Sequence, residues 1–212
     1  MHARRYGVLL DLARDLVQGP VRILDVGAAY EAVEFRRLPG ATVDSLGFRD
    51  ERFSPREGER HVDFDLNETE RHGSWPELEA YDLVVCAEVI EHLRVSPLHV
   101  LGLLRQALRP GGWLVLQTPN AVRLGNRARM LVGRNPFEPI RAEPANPGHF
   151  REYTVDELLA LGREAGFEVG GWLTANYFET GSSANAALVR LERLVPARLR
   201  AGITAWLRKP GQ

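Results

Sequence analysis

Two spacings of apolar residues alternate along the chain. Leu9, Leu12, Ala13, Leu16 and Val17 recur at helical spacing, so the first 18 residues or so are expected to form an amphipathic helix, closed by Gly19-Pro20. Val21-Arg-Ile-Leu-Asp-Val26 is then a short apolar run ending at Gly27, the mark of a strand buried on both faces. Runs at Ala41–Phe48, His61–Asp65, Tyr81–Ala87 and Trp113–Thr118 follow, each roughly 15 to 30 residues after the one before, the rhythm of a parallel α/β sheet. Between the last two, Ser96 stands at an N-cap and Pro97 at a first helical position. Leu98, Leu101, Leu104 and Leu108 make the stripe, and Pro110-Gly111-Gly112 the stop. Thr154 and Glu157 form a capping box ahead of Leu158, Leu161 and Ala165, with Gly166 ending that helix. A sixth strand is expected over Phe167 to about Ala175, then a polar loop (Thr180–Ser183), an amphipathic stretch to Val195, and a last strand at Gly202–Arg208. The whole reads as a doubly wound α/β sheet.

Composition narrows the class. The chain has 212 residues, 44% hydrophobic and 26% charged, with a formal charge of -1. That is enough for one core without staples, and it does not describe an all-over polyanion binder. Cys86 is the single cysteine, so no intrachain disulfide forms, and it reads as a core residue in a reducing compartment. No apolar run approaches the roughly 18 residues of a membrane-spanning helix. Arg4-Arg5 before Val8-Leu9-Leu10 resembles the start of a leader, but Asp11, Arg14 and Asp15 interrupt it, so a soluble cytoplasmic enzyme or binding domain is expected. Lys209 is the sole lysine. Residues 121–151 show no strand pattern and hold six arginines against Glu138 and Glu143, a local +4. Such a stretch reads either as a lid suited to a phosphorylated or carboxylated acceptor or as a solvated surface. The arginine-rich tail from Val189 to Lys209 is expected to pack on the sheet, a membrane or lipid-linked glycan contact being the alternative.

Two places carry candidate chemistry. Asp25-Val-Gly27-Ala28-Ala29-Tyr-Glu31 follows the first strand. A glycine there lets backbone approach a ligand at the strand's carboxyl end, or it merely makes a turn. Glu88, Glu91 and His92 follow the fourth strand. At i, i+3 and i+4 on a helix their heads converge, as in a divalent-metal half-site; the plainer reading is acids favouring a helix start.

Four pieces in order, Leu24-Asp-Val-Gly27, Tyr81-Asp-Leu-Val-Val-Cys-Ala-Glu-Val-Ile-Glu-His-Leu93, Leu108-Arg-Pro-Gly-Gly112 and Gln117-Thr-Pro-Asn120, resemble the class I S-adenosylmethionine-dependent methyltransferases. The Glu88–Leu93 block is especially similar to ubiquinone-biosynthesis O-methyltransferases, glycan-modifying relatives and small-RNA 2′-O-methyltransferases. His149-Phe-Arg-Glu-Tyr-Thr154 and Glu164-Ala-Gly-Phe167 look like later landmarks of the same group, and the resemblance covers about residues 20 to 175. It implies a Rossmann-like seven-stranded sheet with the last strand antiparallel, within a single methyltransferase domain spanning 1–212. Residues 1–18 would be an N-terminal helix, 121–151 a basic lid, and 177–212 a C-terminal extension ending in the last strand.

The resemblance further implies an S-adenosylmethionine site. It would be built from Asp25, Gly27, Ala28 and Ala29 in the first turn, Gly47 after strand two, Asp65 and Leu66 at the adenine, and Ala87 closing strand four. Asp65 also reads as a turn cap. Two departures stand out. Ala29 and Glu31 occupy places the family gives to glycine, so Glu31 either repels the methionine carboxylate or pairs with its ammonium. Gly47 falls where an acid usually holds the ribose hydroxyls, a loss worth about 10- to 100-fold in affinity. Asp44, within the strand, and Asp50, beyond it, are the candidate substitutes.

The resemblance also implies magnesium or a similar ion on Glu88, Glu91, His92 and His149, with His92 or His149 as general base where it is not a ligand. The expected reaction is in-line methyl transfer to a hydroxyl of a sugar, a glycan or another small vicinal diol. An RNA ribose is the second expectation, although no aromatic-interleaved basic platform is visible. A cofactor-poor binding subunit is the third.

Overall fold

The computed structural model describes residues 3–27, 30–143, 147–177 and 194–211. Ala28, Ala29, the expected polar loop Thr180–Ser183 and most of the amphipathic stretch toward Val195 lie outside them. In chain order the elements are α1 (Ala3–Leu16), β1 (Val21–Val26), α2 (Tyr30–Phe35), β2 (Ala41–Gly47), β3 (His61–Asp63), β4 (Tyr81–Ala87), α3 (Pro97–Ala107), β5 (Leu108–Pro119), α4 (Leu124–Leu131), α5 (Val155–Glu164), β6 (Glu168–Ala175) and β7 (Gly202–Arg208).

These strands form one seven-stranded sheet in the order β3-β2-β1-β4-β5-β7-β6. β1 to β5 pair in parallel, and β7 inserts antiparallel between β5 and β6. The sheet is doubly wound because alternate side chains of its strands feed two separate cores. On one face Ile23, Val43, Leu83 and Val85 meet Leu9, Leu12 and Ala13 of α1 and Ala32 and Phe35 of α2. On the other, Leu24, Val84, Cys86, Leu116 and Ala205 meet Leu101 and Leu104 of α3 and Leu158 of α5. Each fully buried Leu or Phe contributes about 1.5–3 kcal/mol, so the long apolar runs fix which segments become inner strands.

Local signals place several boundaries. The Thr154–Glu157 capping box forms as expected at the start of α5. Pro97 opens α3, whereas the Ser96 side chain makes no capping bond. Three stretches differ from expectation. β3 stops at Asp63 because Asp65 caps a one-turn 3-10 helix at Leu66–Glu68, accepting from Asn67 N–H. β5 starts at Leu108, which pairs with Tyr81, and the chain bulges through Gly111 before Trp113 pairs with Leu83. Within 121–151 the structure has a helix, α4, whose apolar residues find no core to face and so left no inward stripe to read.

In the middle of β2, Asp44 is fully buried and accepts from groups at the amino-terminal ends of the neighbouring strands: Arg22 (3.0 Å), Arg60 N–H (2.9 Å) and the Tyr81 hydroxyl (2.8 Å). Burial lifts the Tyr81 phenol to about 12, so it stays a donor. This knot is opposite the ligand-binding edge, which removes Asp44 as a substitute for the ribose acid.

Candidate active site

The carboxyl ends of β1, β2 and β4 meet at Gly27, Gly47 and Glu88. Gly27 takes a φ of 100° and donates its N–H to the Leu46 carbonyl at 2.8 Å. A side chain there would strike Val89, whose methyl carbon lies 2.6 Å from the place of a Cβ. Gly47 takes a φ of 135°, and a Cβ on it would sit 3.5 Å from Gly27 N. Left-handed φ is costly for any residue with a Cβ, so an acid cannot simply be placed at position 47. Asp50, beyond the strand, is fastened to Arg52 (2.6 Å), which holds its carboxyl down at about 2. Asp25 and Ala87 are buried at the ends of β1 and β4. Leu66 is buried beside Asp65, whose Oδ1 takes both the backbone N–H and Nδ2 of Asn67 at 2.9 Å.

Glu31, in the place of a glycine, is answered from α1. Arg5 Nη2 donates to Glu31 Oε1 at 2.5 Å, and both residues are buried. Burial pushes the Glu31 carboxyl up while the guanidinium pulls it back. Arg5 was not foreseen as a site residue. The signal that could have found it is Glu31 itself, since an acid buried at the start of a helix packed on the sheet calls for a cation.

The acidic cluster departs from its expected geometry. Instead of an α-helix, a single 3-10 turn covers Ile90–His92, and Glu88 stands before it at a φ of 57°. The three heads therefore do not stack on one face. Glu91, His92 and His149 offer ligand atoms all within 4.8 Å of one another, and Glu88 is outside that group. Glu91 is fully buried; Thr118 donates to its Oε2 at 2.9 Å, and Oε1 has no partner. Its backbone carbonyl is gripped by the N–H groups of Phe150 (2.8 Å) and Arg151 (3.3 Å), tying the later loop to this turn. Burial raises the Glu91 carboxyl.

Both histidines are oriented through one ring nitrogen. His92 Nδ1–H donates to the Gly148 carbonyl at 2.9 Å, leaving Nε2 4.0 Å from Glu91 Oε1. His149 Nδ1–H donates to Glu152 Oε1 at 3.2 Å, a bond that raises its pKa, and its ring meets that of His92 edge-on at 4.7 Å. Despite burial, Glu152 is kept ionised by this bond and by Arg123 at 3.7 Å. Histidines held this way present Nε2 to a metal, the carbonyl or carboxylate behind fixing the tautomer. Thr118 and Glu152 are thus supporting residues that the sequence reading passed over. Thr118 lay within the Gln117–Asn120 motif, and Glu152 three residues after His149.

Glu88 instead faces a cavity of about 520 Å³ beyond the ends of β4 and β5. Its walls include Pro119, Arg123, Arg129, His149, Glu152 and Asn176. Burial and the neighbouring Glu91 lift the Glu88 carboxyl to about 8, and its Oε1 has no partner. Cys86, beneath, is fully buried and its thiol is pushed far up, so it is inert core.

Comparison with known proteins identifies the family and the fold. A methyltransferase domain family matches residues 2–170. A protein of Mycolicibacterium smegmatis, named a probable S-adenosylmethionine-dependent methyltransferase, is 39% identical over 103 residues, or 47% of this chain and 35% of its own length. The chain thus matches about a third of that relative. An S-adenosylmethionine-dependent methyltransferase from Mesorhizobium loti shares the fold with a TM-score of 0.62 at 17% identity, over 93% of this chain and 96% of that one. The 1,6-didemethyltoxoflavin-N1-methyltransferase of Burkholderia thailandensis, solved with S-adenosylhomocysteine, superposes with a TM-score of 0.61 at 16% identity over 98% and 77% of the two chains. With the 3-2-1-4-5-7-6 sheet, the glycine-lined crevice and the family match in agreement, the chain belongs to the class I S-adenosylmethionine-dependent methyltransferases.

Proposed function

We propose that the chain moves the methyl group of S-adenosylmethionine to a hydroxyl of a sugar, a glycan or another small vicinal diol, with a divalent ion such as magnesium on Glu91, His92 and His149. The observation that carries this reading is the unpartnered, buried Glu91 Oε1, with His92 Nε2 4.0 Å away and His149 beside it at the cavity wall. A buried carboxylate oxygen facing two tautomer-fixed imidazoles lacks a cation, and a hard or borderline divalent ion suits that donor set. Bound there, the ion would supply Lewis acidity to an acceptor oxygen.

The nucleoside would lie along Gly27 and Gly47, where no Cβ obstructs, with Asp65 and Leu66 at its adenine end; Ala28 and Ala29, expected at its methionine end, lie outside the described residues. The Burkholderia methyltransferase, of the same fold, was solved with the demethylated nucleoside, which supports this reading. Arg5 neutralises Glu31, so the turn does not present a bare negative charge to the methionine carboxylate.

His92 and His149, expected as bases, each spend Nδ1–H on orientation and leave only Nε2. We therefore assign proton acceptance to Glu88, which faces the cavity outside the three-residue group and whose carboxyl is raised by burial and by Glu91 to about 8, toward the range in which a general base works best. Arg123 and Arg129 on the same wall suit an acceptor that carries phosphate or carboxylate.

The test is twofold. Calorimetric titration with S-adenosylhomocysteine should give saturable heat. Release of that product from S-adenosylmethionine should occur with catechols, glycosides or a 3′-terminal ribose and fall on chelation. No heat and no thermal shift at millimolar nucleoside would instead make the chain a non-catalytic relative. The His92→Ala variant should keep nucleoside binding and lose most turnover; parental turnover would reduce the cluster to a structural one.

Glu88→Gln should lower turnover by about 100-fold or more while nucleoside affinity holds. It also has a stability signature. The Glu88 carboxyl holds its proton in the folded state up to about pH 8 but would lose it near 4.5 when unfolded, so parental stability should fall as pH rises across that window and level off above it. In chelator, the melting temperature of the glutamine variant should fall less steeply with pH than that of the parent, the remaining slope belonging to Glu91 and Glu31. Parallel pH curves for the two proteins would contradict the burial assigned to Glu88.

A further inference from the structure

We propose that the basic segment after β5 docks on an anionic lipid surface. Of residues 124–143, only Asn126 and Pro136 are buried. Large apolar side chains gather around the end of α4 in full view of solvent: Leu131 is 88% exposed, Val132 69% and Met130 52%, with Ile140 further on at 61%. A helix of a water-soluble protein turns such residues inward, and this one does not. It is moored instead by Asn126, whose Nδ2 donates to the Ala121 carbonyl at 2.9 Å and to Glu152 at 3.4 Å.

The charges around these apolar tips select the occupant. Arg127 and Arg129 donate to the backbone carbonyls of Val122 and Pro136, and among the described residues neither they nor Arg134 pair with a carboxylate. Residues 121–151 carry six arginines and two glutamates in a chain whose overall charge is -1. Exposed Met, Leu and Val flanked by guanidiniums without counter-charges is the composition of a segment that lies in the headgroup region of an anionic bilayer. A second copy of the chain fits poorly, because a two-fold contact would press Arg127, Arg129 and Arg134 of one copy against the same arginines of the other. Arg123, Leu124, Gly125 and Arg129 also line the cavity, so a docked segment would set the cavity mouth at the lipid surface. This inference does not rest on methyl transfer, since it uses only the surface of the segment.

The full chain should be sedimented with vesicles of phosphatidylglycerol and phosphatidylcholine, and with phosphatidylcholine alone, at low and high salt. At low salt, partition onto the anionic vesicles should exceed that onto the neutral ones by about tenfold or more, and added salt should reduce it. Leu131→Ser with Val132→Ser should reduce it by about tenfold at an unchanged melting temperature, because both side chains are exposed. Arg127→Gln with Arg134→Gln should weaken binding and flatten its salt dependence. Equal partition onto both vesicle types would overturn the proposal. So would a dimer in light scattering that the Leu131→Ser, Val132→Ser variant splits, since a second copy would then be the occupant.

Discussion

Glutamine at position 91 is expected to weaken manganese binding by about 100-fold or more and to cut methyl transfer by a comparable factor, leaving S-adenosylhomocysteine affinity unchanged. The argument rests on how little else the substitution disturbs. Glu91 is fully buried, so its replacement must keep volume, and glutamine does. The bond from the Thr118 hydroxyl can be kept by the amide oxygen, and the Phe150 and Arg151 N–H groups hold the backbone carbonyl, which the substitution leaves alone. What is lost is the charge at Oε1. Because burial already raises the Glu91 carboxyl, removing that charge should leave the ion-free protein as stable as the parent or more so. A higher melting temperature in chelator together with lost ion binding is thus the expected pair of results. Calorimetry with manganese and thermal unfolding measure both. Thr118→Val, which frees Oε2 without touching the charge, should cost a smaller factor of about 10 in ion affinity. If the glutamine variant binds manganese like the parent, the Glu91, His92 and His149 group holds no ion.

Arg5→Ala is the variant expected to be least stable. It leaves the Glu31 carboxylate buried without its cation, a change that costs about 3–5 kcal/mol in comparable pairs. For a chain of this length that corresponds to a fall of about 10 °C in melting temperature. The loss should shrink in acid. With its pKa raised, folded Glu31 takes up a proton before the unfolded chain does, so the variant gains stability as pH falls toward the unfolded value of 4.5. A double variant, Arg5→Ala with Glu31→Gly, should recover most of the stability at neutral pH, because the acid that needed a partner has gone. Thermal unfolding of the single and double variants at two pH values closes the cycle. Equal destabilisation in both would show that Arg5 acts through packing rather than through Glu31.

What the sequence made legible followed from short-range physics. β1 has its expected bounds because an apolar run sits between Gly19-Pro20 and Gly27, and α5 starts where the Thr154–Glu157 box forms. The order of the methyltransferase-like pieces carried the sheet topology, including the antiparallel insertion of β7. What stayed hidden depends on partners far along the chain. β5 begins at Leu108 because Tyr81 pairs with it, and the bulge at Gly111 is held by the Lys209 carbonyl. Arg5 gains its meaning only once α2 brings Glu31 to it. Convergence of Glu88 with Glu91 and His92 assumed α-helical spacing, and the positive φ at Glu88, which no pattern announces, separates it. The helix α4 escaped notice because periodicity reports a buried face and this helix has almost none.

β7 also sets the order in which the molecule can be completed. Among the described residues β6 pairs with β7 alone, and β7 can reach the sheet only after Gly202–Arg208 have been synthesised, later in the chain than its other neighbour, β5. Until Gly202–Arg208 are added, β5 has an open edge and β6 lacks its β7 partner. Asn176, Leu199 and Ala201, which help to line the cavity, flank these late-pairing strands. A chain stopped short of residue 202 would therefore keep the cavity walls from Pro119, Arg123, Arg129, His149 and Glu152, and would leave the side bounded by Asn176, Leu199 and Ala201 without the strand that anchors it.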